Sequence, residues 1–156
     1  MLFQFIKNQS QHLQRLVRSL INQHLEEDRR IFLDRNPVQS ESDFIATCFQ
    51  VSSNKQQEVA IAIRRAIASL GNIESEFIRA EVSFEELDIL PFWNLCGEAG
   101  FNSTIFIEAI KSELHVQFTE EQLKLSTVRD PDLNTHMKIS EFVNEFYHWY
   151  NSLSDY

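Results

Sequence analysis

The side chains able to do chemistry in this chain are scattered. Its five histidines are His12, His24, His115, His136 and His148, and none joins other ligand-type residues in the helical array that zinc needs. Glu85-Glu86 and Glu120-Glu121 are adjacent pairs. Neighbours on a helix face different ways, so these acids read as solvated surface and not as a general acid with its base. Cys48 and Cys96 sit in no CxxC or metal spacing, and Cys96 has only Glu98 beside it, with no basic group to activate a thiol. They read as reduced, buried thiols. No P-loop, GxGxxG, HExxH, GxSxG or EF-hand pattern is met. On these grounds the chain is expected to be a non-enzyme with no metal site.

The elements that would carry any site are helical in pattern. In the first, from about Asn8 to Arg30, Leu13, Leu16, Val17, Leu20, Ile21 and Leu25 form an apolar stripe. It would pack on the body or on a second subunit. Glu26, Glu27 and Asp28 then oppose the helix dipole and are expected to mark its end. Asp34-Arg35-Asn36-Pro37 reads as a turn. Ser40 caps a short helix through Phe44, Ile45 and Cys48, with Asp43 in the capping-box position. A strong helix follows from about Lys55 to Leu70, with Arg64-Arg65 on its polar side and Gly71 as its left-handed C-cap.

Further on, Ser83 caps a short turn that ends near Leu90, before Pro91. Residues 91–102 hold two of the chain's 3 glycines and read as an irregular loop. Helices are expected from about Ser103 to His115, at Thr119-Glu120-Glu121-Gln122, and from Lys138 to Leu153, with Asp130-Pro131-Asp132 a loop. Most of the 13 phenylalanines fall at helical spacing and are read as core. The fold class is all-α.

Charge narrows the partners. Residues 1–24 hold Lys7, Arg15 and Arg18 and no acid, so the whole chain's −9 leaves −12 for the remainder. An acidic body repels nucleic acid and suits the basic surface of a partner protein. Three cations give thin support for a membrane-surface reading of Leu2, Phe3, Phe5 and Ile6 beside Lys7. No run of apolar residues is long enough to cross a bilayer. Sparse cysteine favours a cytoplasmic protein.

Three strings then bear on family: LGNIESEFIRAEVSFEEL at 70–87, IFIEAIKSELHVQFTEEQL at 105–123 and KISEFVNEFYHWY at 138–150. Together with the order helix, long loop, helix, short helix, helix, they resemble the acyl carrier proteins over about two-thirds of the chain. The resemblance implies an acyl-carrier-like four-helix bundle at 54–156, with 1–53 an N-terminal amphipathic helical extension that offers a route to homo-oligomers. Carriers present an Asp-Ser-Leu motif at the start of the second helix, where the serine holds a phosphopantetheine arm and free N–H groups help hold its phosphate. One alignment puts Gly100 in that slot and another puts Leu95 there. Neither has a hydroxyl. The remaining alternative is Asn102-Ser103, although Ser103 is more simply the helix N-cap.

The resemblance also implies a docking surface, built from the acids Glu108, Glu113, Glu120 and Glu121 and from Trp93 and Asn94 in the preceding loop. The expected function is a non-enzymatic, carrier-like interaction module without a cofactor. The alternatives are a divergent phosphopantetheine carrier modified at Ser103 and a peripheral membrane-associated helical protein.

Overall fold

Among the described residues, some helices start at a local capping signal and others at a group brought from elsewhere in the chain. The computed structural model describes Leu16, Leu20, residues 23–90 and residues 102–153. Its first helix, α1, is described over 23–35, and Leu16 and Leu20 are also helical. There follow α2 (Glu41–Cys48), α3 (Asn54–Gly71), a 3-10 turn at Ser75–Phe77, α4 (Phe84–Leu87), α5 (Ser103–Leu114), α6 (Glu120–Lys124) and α7 (Ile139–Ser152). Among the described residues the fold is all-helical, and no helix is long and apolar enough to cross a membrane.

α1 does not end at its acids. Arg29 lies 3.9 Å from Glu26 and Arg30 lies 3.4 Å from Glu27, each one helical turn on. Such pairs contribute a few tenths of a kcal/mol each against the crowded negative charge. The helix runs instead to residue 35. There the buried Asn36 side chain donates to Phe32 O at 2.9 Å, and Pro37 cannot continue the ladder. Leu16, Leu20 and Leu25 leave apolar side chains exposed.

α3 begins with a reciprocal capping box between Ser53 and Gln56. Its end differs by one residue from the sequence expectation. Gly71 is the last helical residue, and Asn72 takes the left-handed cap at φ 53°. The bare Cα of Gly71 instead leaves room for Leu90, whose Cδ1 would lie 3.0 Å from a Cβ there.

The larger correction on α3 concerns Arg64, which is buried and not on the polar side. Its guanidinium donates to Ile78 O at 2.9 Å, Gln39 O at 2.6 Å and Glu76 O at 3.2 Å. It also lies 4.6 Å over the Phe44 ring. Burial lowers its pKa, and the charges of Glu41 and Glu76 partly offset that. The neighbouring Gln39 adds a second tie, accepting from Ala80 N at 2.9 Å and donating to Glu81 at 3.2 Å. Segments 36–39 and 76–81 are thus held to α3 through their backbones.

From that anchor the chain reaches a second joint. Ser83 and Lys138 form an isolated antiparallel bridge. Phe84 N donates to Met137 O and Glu85 N to Thr135 O, while Ile139 N donates to Val82 O and Ser140 N to Ala80 O. A helix leaves its first four N–H groups without internal partners. Here the first turns of α4 and α7 are each satisfied by the segment that leads into the other.

Apolar burial closes around this joint. Phe84, Phe106 and Phe142 meet with ring centroids 5.1–5.9 Å apart. Phe142, Phe146 and Trp149 continue the row along α7, and Phe118 packs edge-on to Trp149 at 5.0 Å. Tilted and edge-to-face pairs of this kind add to the area they bury. The phenylalanines read as core at positions 32, 44, 49, 84, 106, 142 and 146 are buried.

Replacing Arg64 by Met should remove roughly 3 kcal/mol of stability, because three carbonyls lose their donor inside the protein. Arg64→Lys should recover only part of this, since an ammonium cannot reproduce the planar fork. Urea unfolding of both variants measures it. A Met variant within about 0.5 kcal/mol of the parent, the range of an ordinary surface substitution, would remove Arg64 from its anchoring role.

Candidate functional site at the start of helix α5

The start of α5 depends on which residue caps it, and the cap is Asn102. Its side chain accepts from Ile105 N at 3.1 Å, which makes Ser103 the first helical residue and not the N-cap. Ser103 is half-buried and its hydrogen bonds go elsewhere. Its hydroxyl donates to Asp130 Oδ1 at 2.5 Å, and its backbone N–H donates to Asp132 Oδ2 at 3.1 Å. Two carboxylates from the loop before α7 therefore stand at the positive end of α5, where helix dipole and free N–H groups favour negative charge.

That loop is itself ordered by short-range bonds. Asp132 N donates to Asp130 Oδ1 at 2.9 Å, an Asx turn. The Asn134 side chain and Leu133 N both donate to Asp130 O. Pro131 is buried. Immediately before the turn, Arg129 is fixed to α7: its Nε lies 2.7 Å from Glu145, and its guanidinium lies 3.7 Å from Glu141. The Glu145 hydrogen bond, with the charges of Glu145 and Glu141, holds the Arg129 pKa above its ordinary value. Burial alone would raise the Glu145 carboxyl. Hydrogen bonds and charge from Arg129 outweigh it and leave that pKa below its ordinary value.

Asp130, Asp132, Asn134 and Glu141 also stand at positions 1, 3, 5 and 12 of a calcium-loop spacing. The strict pattern fails at position 6, where Thr135 occupies the place that needs glycine for a sharp turn. In space the oxygens diverge. Asp130 and Asp132 turn to α5, while Glu141 accepts from Lys138 N at 2.8 Å and faces Arg129. No three such side chains converge on a metal position among the described residues.

Beside Ser103 a cavity of about 270 Å³ opens between α5, α6 and α7. Ile107, Leu123, Val128 and Phe142 line it, with Glu108 and Asp130 among its polar residues. The acids expected to form one docking surface are divided by the helix that carries two of them. Glu108 lines this cavity and pairs with Lys111 at 2.8 Å. Glu113 lines a separate groove of about 410 Å³ with Gln57, Glu58 and Arg65 of α3. Glu120 and Glu121 are exposed in the first turn of α6, where acids favour the helix dipole. Trp93 and Asn94 lie outside the described residues, as does the 91–101 stretch.

The residues that sequence reasoning passed over are Arg129, Asp130 and Asp132. Asp130-Pro131-Asp132 reads in the sequence as a loop. Its meeting with Ser103, 27 residues away for Asp130, has no local signal. No protein-family model, curated protein or solved structure matches the chain.

Cys48, at the end of α2, is buried. Burial first, and the Glu81 charge second, push its pKa up to about 12, against a smaller opposing pull from Arg64. The thiol should therefore stay protonated and inert at pH 8. In a Cys96→Ser variant, iodoacetamide at that pH should leave the intact mass of the native protein unchanged and add one label only in urea. Rapid labelling of the native form would contradict this.

Proposed function

We propose that the chain is a non-enzymatic, carrier-like interaction module. It docks a partner at the cavity beside the α5 start and does so without a prosthetic arm. The carrier-like reading draws on the succession α3, long connection, α5, short α6, α7, and on Ser103 as first residue of α5. The observation that carries the arm-free reading is the pair of carboxylates on Ser103. A phosphopantetheine ester at this serine would need donors for its phosphate. The residues present do not fit one: the Ser103 N–H and hydroxyl are both given to Asp132 and Asp130, and ionised carboxylates only accept.

What the surroundings suit is a side chain and not an acid. Ile107, Leu123, Val128 and Phe142 offer an apolar recess, with Glu108 and Asp130 beside it. A partner presenting one large apolar residue flanked by Lys or Arg would fill the recess and meet the acids. Such an anchor in a pocket supplies most binding energy, while flanking charges steer the encounter.

Two outcomes are expected. Glu108→Arg should weaken binding of a co-purifying partner by on the order of tenfold, about 1.4 kcal/mol. Glu113→Arg, on the separate groove, should leave it unchanged, with both variants folded by circular dichroism. Equal weakening by both would misplace the docking surface. Separately, incubation with coenzyme A and a broad-specificity phosphopantetheinyl transferase should leave the intact mass unaltered, beside a known carrier modified in the same tube. A gain of one phosphopantetheine mapped to Ser103 would replace the arm-free reading with that of a working carrier.

A further inference from the structure

We propose that the Asp130–Asp132 turn is a built-in anion for the α5 N-terminus, an internal contact that bars Ser103 from carrying a phosphate ester. The proposal rests on the arm-free reading above and gives it a physical cause. Three observations combine. Asp132 takes the Ser103 N–H and Asn102 takes the Ile105 N–H, so side-chain oxygens already serve the first turn of α5. Asp130 accepts from the Ser103 hydroxyl, whose O–H bond an ester at Oγ would have to replace. The turn is also held from three sides: by the Asp132 and Asn134 bonds to Asp130, by buried Pro131, and by Arg129 on Glu145. It is therefore a fixed fitting of α5 and does not swing freely over it.

The charge consequence has a definite sign. A negative group at the first position of a helix is ordinarily stabilising, because it meets the positive end of the dipole. At position 103 it would instead meet two carboxylates that already occupy that end. A negative charge introduced there should destabilise this protein, and should stop doing so once the two carboxylates are neutral.

Comparing Ser103→Glu with Ser103→Gln isolates the charge from the loss of the hydroxyl. The pair is made in the parent and in an Asp130→Asn/Asp132→Asn background, and thermal unfolding of the full chain is followed at about 0.01 M salt, where screening is weak. In the parent, Glu should melt several degrees below Gln. In the Asn background, Glu should melt level with Gln or above it. The parent difference should shrink at 1 M salt. If the double Asn background is too unstable to melt cooperatively, Asp132→Asn alone serves, since Asp130 also orders the turn. The same Glu-minus-Gln shift in both backgrounds overturns the proposal. This outcome is separable from the transferase assay. A mass gain on the parent, with the charge coupling intact, would end the arm-free reading and the claim that modification is barred. No coupling, with no gain, would leave the arm-free reading standing and remove this contact as its cause.

Discussion

A guanidinium removed from water must find acceptors, and Arg64 finds three main-chain carbonyls in two segments distant in sequence. That requirement organises much of what surrounds it. Gln39 and residues 76–78 are drawn onto α3, and Ala80 is then placed by the Gln39 side chain. Ala80 and Val82 in turn offer their carbonyls to the first turn of α7. A buried cation is thus what fixes the backbone leading to the α4–α7 joint.

The site at α5 follows from that joint. Where α7 begins sets where Arg129 can reach Glu145, and the Arg129 tether sets where the Asp130–Asp132 turn lies. The turn then meets the exposed N–H groups of α5. Orphan helix donors thus recur as the problem being solved: by a reciprocal side-chain box at α3, by another segment's carbonyls at α4 and α7, and by a loop carboxylate at α5.

Much of the helical layout is legible in the sequence because the signals are local. Ser53 with Gln56, Ser83 with Glu86 and Thr119 with Gln122 are capping boxes readable at a spacing of three, and each forms. The misreadings occur where a distant group decides. Asn102 and Ser103 are both good caps by type, and the choice between them goes with carboxylates that arrive from residues 130 and 132. Gly71 looks like a left-handed cap, but Leu90 makes it a contact point and the turn passes to Asn72. Arg64 and Arg65 are identical in type and adjacent, yet one is buried and the other exposed. Periodicity gives position on a helix, and it does not say that a cation on the inner side will be met by carbonyls. Glu108 and Glu113 line different cavities for a simpler reason, since five residues turn a helix once and about a further 140°.

The mutual satisfaction of α4 and α7 has a consequence for how the chain comes together and how it can vary. Val82 and Ile139 are tied directly, so forming the joint closes a loop of nearly sixty residues, at an entropic cost of roughly 3–4 kcal/mol before any constant term. Each helix start takes part of its hydrogen bonding from the other, a contact of much longer range than the capping box that starts α3. The same logarithm is lenient toward length. Doubling the intervening chain would add only about 0.6 kcal/mol. Loop-closure entropy alone therefore sets little limit on the length of chain between Val82 and Ile139, whereas the pairing of these two residues is fixed by their hydrogen bond.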